Sequence, residues 1–128
     1  MRALVIDDSR TVRMVIKRIL TAGGFEVTEA GHGQEALDVI DGGYLPHIAL
    51  VDWNMPVMDG LEFIKAVRAR ADLRDVTLMM VTTEGERPQI VRALASGAHE
   101  YLIKPFTEDA LMAKLDLLGI RPGMEVTA

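Results

Sequence analysis

Cysteine is absent from the 128 residues. That excludes a disulfide scaffold, a thiol nucleophile and any thiolate-ligated zinc or iron–sulfur centre. Basic residues are in deficit: 14 Lys and Arg against 19 Asp and Glu leave a net charge of −5. This is the wrong sign for a dedicated nucleic-acid binder. No apolar run approaches the length needed to span a membrane. The apolar stretch near the start ends at Asp7-Asp8 and is too short for a secretory signal. These absences predict a cytoplasmic protein that neither binds nucleic acid nor inserts into a membrane. What is present is ordinary for a globular chain, with 49% apolar and 26% charged residues. At about 150 residues per domain the length predicts one domain. Such a chain buries roughly two-thirds of its unfolded surface.

An apolar run from Arg2 to Ile6 ends in Asp7-Asp8 and reads as a buried strand. Ser9 follows as a helix cap, then Val12, Val15, Ile16, Ile19 and Leu20 recur at helical spacing until Gly23-Gly24. The pattern repeats. Strands are predicted at 25–30, 48–51, 76–81 and 101–103, and helices start near Gly33, Leu61, Pro88 and Thr107. The domain is expected to span 1–119, with 120–128 a short tail opened by Gly119 and held out of helix by Pro122-Gly123. Five alternating βα units imply an α/β fold, a doubly wound parallel sheet with helices on both faces. There is no linker, low-complexity stretch or fixed repeat period.

In such sheets ligands bind at the carboxyl ends of the strands. The first strand delivers Asp7 and Asp8 there, the third Asp52, the fourth Thr82 and the fifth Lys104. Three converging carboxylates repel one another, and a divalent cation relieves that. All-oxygen donors suit Mg²⁺, with Mn²⁺ able to substitute. An Asp is also a competent phosphoryl acceptor. Lys104 and the Thr82 hydroxyl supply a charge and a hydrogen bond for phosphoryl oxygens, which is most of what phosphoryl transfer asks of a protein.

The segments Ile6-Asp7-Asp8-Ser9, Val51-Asp52-Trp53-Asn54-Met55-Pro56, Met58-Asp59-Gly60, Val81-Thr82-Thr83-Glu84 and Tyr101-Leu102-Ile103-Lys104-Pro105-Phe106 together resemble the receiver domain of two-component response regulators. The Asp-Trp-Asn-Met-Pro and Lys-Pro-Phe-Thr segments are most similar to the stand-alone chemotaxis regulators of the CheY type. The resemblance implies a flavodoxin-like (βα)5 domain with strand order 2-1-3-4-5. It implies that Asp52 is the phosphoacceptor and that Asp8, Asp52 and the Asn54 carbonyl bind Mg²⁺, with Asp7 helping through water. It further implies that Lys104 pairs with the acceptor or its phosphoryl group, that Lys104-Pro105 is cis, and that Thr82 moves on activation with Tyr101 swinging inward behind it. Asn54 and Glu84 are implied to tune loss of the phosphoryl group. Thr83 departs from the Ala or Gly common beside the switch hydroxyl. The implied partners are a sensor histidine kinase or histidine phosphotransfer protein and a downstream effector such as a flagellar motor switch. The effector is expected on a helix 4–strand 5–helix 5 face carrying Ile90, Ile103, Phe106 and Lys114.

Other readings compete. A phosphorelay shuttle or kinase adaptor shares every feature above. An Mg²⁺-dependent aspartyl phosphohydrolase needs a second acid two positions after its nucleophile, where this chain has Asn54. A flavodoxin-like cofactor binder needs a phosphate-cradling loop where this chain has Asp7-Asp8-Ser9. An isolated Asp-Asp pair is commonly only a cap; its convergence with three other strand ends argues otherwise. Arg10, Arg13 and Lys17 read as a solvated helix face. His32, His47 and His99 read as exposed loop residues, since none has a ligand partner at helical spacing. Most of the eight Met, Met79 and Met80 among them, read as core filling.

Overall fold

The computed structural model describes residues 1–83 and 87–122. Strands β1 (Arg2–Ile6), β2 (Glu26–Ala30), β3 (Ile48–Asp52), β4 (Thr77–Thr83) and β5 (Glu100–Lys104) alternate with helices α1 (Arg10–Ala22), α2 (Gly33–Asp41), α3 (Gly60–Arg68), α4 (Arg87–Ala95) and α5 (Glu108–Leu118). All strand pairs are parallel, in the order β2-β1-β3-β4-β5. The fold class and strand order agree with expectation. Order reverses between β1 and β3, and this places the crevice of the sheet at the carboxyl ends of those two strands.

Strand composition follows position. The central strands β1 and β3 are buried almost throughout, because helices cover both of their faces. The edge strands β2 and β5 are only partly covered. Alternation along each strand splits the core in two. Leu4, Ile6, Val51, Leu78 and Met80 point with α2, α3 and α4. Ala3, Val5, Leu50, Met79 and Val81 point with α1 and α5. The predicted caps are in place. Ser9 accepts from Val12 N and Thr107 from Ala110 N. Gly119 ends α5 with φ of 71°, a left-handed conformation that favours glycine. Residues 123–128 of the expected tail lie outside the described residues.

One expectation needs correction. Val15 is 44% exposed rather than buried. Val12, Ile16, Ile19 and Leu20 already fill the stripe of α1 that faces the sheet, and Val15 falls at its edge. The histidines lie in loops or at an element end, as expected, with His99 exposed and the other two half-buried, and each has a hydrogen-bond partner. His32 Nδ1 accepts the Glu35 N–H, His47 Nδ1 the Arg2 N–H and His99 Nδ1 the Leu78 N–H. Arg68 joins the last of these: its guanidinium lies 3.3 Å from His99 Nδ1 and donates to the carbonyls of Gly97 and Val76.

His99 carries a testable pH dependence. Desolvation and the adjacent Arg68 charge hold its pKa below the ordinary 6.5. The folded protein therefore binds fewer protons than the unfolded chain as pH falls through about 6.5, and stability is lost on the acid side. His99→Asn keeps an acceptor near the Nδ1 position without titrating. Chemical denaturation from pH 8 to pH 5 is expected to show the wild type losing stability relative to this variant below about pH 6.5. Parallel curves would remove the assignment.

Candidate functional site

The site is built at the carboxyl edge by the parity of the strands. Asp52 continues the Ile48–Leu50 side of β3, and Lys104 continues the Leu102 side of β5, so both emerge on the α1–α5 side. Asp7 follows β1 on that same side. Its backbone N–H donates to the Ala30 carbonyl, its Oδ1 accepts from Ser9 N at 2.8 Å, and Arg13 donates to its carbonyl at 2.6 Å. Asp7 is thus fixed and only 2% exposed. Lys104 Nζ bridges two carboxylates, 2.8 Å from Asp7 Oδ2 and 3.3 Å from Asp52 Oδ1. The predicted pairing with Asp52 is present, but the shorter contact is to Asp7. Asp8 lies exposed at the mouth. Oxygens of Asp7, Asp8 and Asp52 all lie within 4.8 Å of one another.

The loop after Asp52 is folded tightly against it. Gly60 N donates to the Trp53 carbonyl at 2.9 Å, and a Cβ at Gly60 would collide with the Asp52 carbonyl. Glycine is therefore required where α3 starts. Asp59 caps that helix in a reciprocal box with Glu62. Val57 sits in the same loop with φ of 68° and 76% exposure. A β-branched residue in the left-handed region is strained, so the loop after Asp52 is held in a conformation its sequence does not favour.

The electrostatics single out Asp52. Burial and the neighbouring Asp7 charge push its pKa up to about 6, against the opposing pull of Lys104. It is ionised at neutral pH yet more basic than an ordinary carboxylate, the combination a nucleophilic carboxylate needs. Burial works against the charge on Lys104, but its hydrogen bond to Asp7 and the Asp52 charge outweigh it and raise the Lys104 pKa.

Thr82 is fully buried and pairs in register with Ile103, whereas Thr83 pairs with Lys104. Thr82 therefore lies on the opposite side of the pleat from Asp52 and Lys104, together with Met80, Tyr101 and Ile103. Tyr101 is half-buried against the α3–α4 side of the core. Asn54 is exposed two residues beyond Asp52, and Lys104-Pro105 is cis. Glu84 lies outside the described residues. The four expected partner residues do not form one patch. Ile90 and Ile103 line a groove of about 490 Å³ with Tyr101, Val91 and Leu94. Phe106 lines a separate groove of about 360 Å³ with Thr11, Val15, Thr83 and Lys104. Lys114 stands over Tyr101. The second groove went unnoticed in the sequence because Val15 reads there as core.

The chain belongs to the response regulator receiver family, which it matches over residues 3–116. Within that family it is CheY-like. It is 45% identical over 125 residues to a chemotaxis protein CheY homolog of Campylobacter jejuni, covering 96% of each chain. It is 40% identical over 119 residues to chemotaxis protein CheY1 of Helicobacter pylori, covering 92% of this chain and 96% of that one. Among solved structures, CheY4 of Vibrio cholerae superposes with a TM-score of 0.84 at 34% identity, covering 91% of this chain and 96% of that one.

Receiver domains bind Mg²⁺ through an acidic cluster, and the donors here fit that ion. They are hard carboxylate oxygens, close enough to share one cation, with one carboxylate at the open mouth. Asp8 and Asp52 would hold it. Asp7 has one oxygen engaged by Lys104 and the other by Ser9 N, which leaves it a water-mediated role.

Proposed function

We propose that Asp52 accepts a phosphoryl group from a phosphohistidine and that the resulting charge switches the affinity of the α4–β5 face for a downstream protein. The observation that carries this reading is the pairing of a buried, basic carboxylate with Lys104 at the switch-point edge of a receiver fold. In the transfer, an Asp52 oxygen forms a bond to phosphorus as the phosphorus–nitrogen bond breaks, and the electron pair leaves with the histidine ring. The Asp52 carboxylate is already ionised at neutral pH, so no base is needed to activate it. Asp8 and Asp52 would hold Mg²⁺, which would supply positive charge to the phosphoryl oxygens. Lys104, held 3.3 Å from the acceptor, is placed to share the new charge, and Asp7 fixes where its Nζ stands.

Phosphorylation adds roughly two negative charges at pH 7 and new acceptor oxygens. Lys104 is charged in both states and only reorients. The Thr82 hydroxyl is the group that changes sides of the strand edge to reach the phosphoryl oxygen. Its departure opens room on the α3–α4 side, where Tyr101 lies along the same side of the pleat. A partner shifts this equilibrium only through differential contact with the two arrangements, so it touches the groove of Ile90, Tyr101 and Ile103. The likeness to CheY relatives along nearly the whole chain supports a chemotaxis role, with a sensor histidine kinase or histidine phosphotransfer protein upstream and a motor-type effector downstream.

The test is amide NMR with beryllofluoride, a phosphoryl mimic, and Mg²⁺. The largest changes are expected at 52–55, 82–90 and 101–107. Thr82→Ala is expected to bind the mimic while blunting the changes around Tyr101. Undiminished changes at Tyr101 in that variant would refute the coupling through Thr82.

A further inference from the structure

Tyr101 is tied down by a pair that its own strand and α5 bring together. Lys114 places Nζ 4.4 Å from the centroid of the Tyr101 ring. The same Nζ donates to Glu100 Oε1 at 2.9 Å, and that oxygen also accepts the Tyr101 backbone N–H at 2.9 Å. One carboxylate oxygen thus links the strand at Tyr101 to the cation on the Tyr101 ring. The pair is sheltered: the Glu100 and Lys114 side chains are 15% and 28% exposed, against 59% for Asp116 in its pair with Arg121. Burial opposes the Glu100 charge, yet the hydrogen bonds from Lys114 and from Tyr101 N outweigh it and lower its pKa. Glu100 is therefore a committed anion at neutral pH.

We propose that Glu100 is a positioning residue of the switch: it anchors Lys114 over the Tyr101 ring, holds the ring in its half-buried position, and so sets the fraction of unphosphorylated protein with Tyr101 turned inward. The proposal rests on the reading that Tyr101 moves inward on activation. A cation over a ring attracts it electrostatically, and this contact belongs to the half-buried position that the ring holds without a phosphoryl group. Without Glu100, the flexible Lys114 stem is free to carry its ammonium into water. The half-buried arrangement loses a contact that a fully inward ring gives up in any case, and the population shifts accordingly. A contact of this kind corresponds to about a three-fold change in the inward fraction.

The experiment uses the full chain labelled with 3-fluorotyrosine. Only two tyrosines are present, Tyr44 and Tyr101, and Tyr101→Phe assigns their signals. Beryllofluoride is titrated in the presence of Mg²⁺ into wild type, Glu100→Gln and Lys114→Gln. The expected result is a Tyr101 signal in mimic-free Glu100→Gln displaced toward the saturated position. Its half-saturating concentration is expected to fall by about three-fold, because apparent affinity scales with the competent fraction. Lys114→Gln is expected to match it, and the double variant to add nothing further. A merely structural role for Glu100 would move the melting temperature and leave the midpoint alone. If the wild-type signal moves with the mimic while both variants keep the wild-type midpoint, the anchoring role is refuted and the switch reading stands. If the mimic never moves Tyr101 in the wild type, the switch reading fails and the anchoring role falls with it.

Discussion

Asp52→Asn is expected to take up no phosphoryl group from acetyl phosphate and Mg²⁺, and yet to be the more stable protein. The first result follows from roles that its neighbours cannot assume. Asp7 is 2% exposed, with one oxygen on Lys104 and the other on Ser9 N. Asp8 is reachable but lies outside the reach of Lys104, whose carboxylate contacts are Asp7 and Asp52. An amide at position 52 lacks the nucleophilic oxygen and the charge that a phosphoryl acceptor requires. The second result follows from the cluster. A carboxylate whose pKa is raised from 3.8 to about 6 by burial and by Asp7 opposes folding when ionised at pH 7. That opposition fades as pH falls through 6 toward 4, because the folded protein then binds the extra proton. Replacing it with an uncharged amide is expected to stabilise the metal-free protein by about 2 kcal/mol at pH 7. Addition of Mg²⁺, which stabilises the wild type, narrows the gap. Intact-protein mass and thermal melts with and without Mg²⁺ check both halves. Labelling of the variant to the wild-type extent would reject Asp52 as acceptor, and a lower melting temperature would reject the electrostatic account of the cluster.

Asp8→Ala is expected to weaken Mg²⁺ binding by more than about ten-fold, the lower end of what even indirect disturbance of a metal site produces, and to lose phosphorylation with it. Asp8 makes no hydrogen bond to any described residue and stands at the open mouth of the cluster. Its removal therefore leaves the fold intact and takes away the carboxylate most available to a cation. Asp7 and Asp52 then remain with Lys104 as their counter-ion among the described residues, and the incoming phosphodonor is repelled. Trp53 is 6% exposed and adjacent to Asp52, which makes its fluorescence the natural readout of an Mg²⁺ titration. An Mg²⁺ titration of Asp8→Ala that overlays the wild type would place the ion elsewhere.

The strands that cross the centre of the sheet were readable as uninterrupted apolar runs, because β1 and β3 are covered on both faces. Strand ends at Asp7, Asp52 and Lys104 were readable for the same reason: a charged residue terminates each run. Edge structure was less legible. Phe25, placed in the second strand by its apolar character, lies one residue before β2, where it is buried behind α1 and its N–H returns to the Leu20 carbonyl. Register was invisible. Nothing local says that Thr82 pairs with Ile103 and so stands across the pleat from Lys104. Pairings between distant segments were equally hidden. The acceptor roles of His47 and His99 depend on backbone N–H groups 45 and 21 residues away. Nothing local says that Glu100 and Lys114, 14 residues apart, pair when β5 and α5 pack together. Val57 carries no signal of strain in the sequence, since its backbone angle is imposed by the turn between Pro56 and Gly60.

The most direct test of the central claim is to locate the phosphoryl group itself. Wild-type protein is phosphorylated with acetyl phosphate and Mg²⁺, the acyl phosphate is trapped by borohydride reduction, and the peptides are sequenced by mass spectrometry. The account predicts a single reduced residue, at position 52. Reduction at position 7 or 8, or a stable phosphate on a histidine or hydroxyl residue with position 52 untouched, would contradict it.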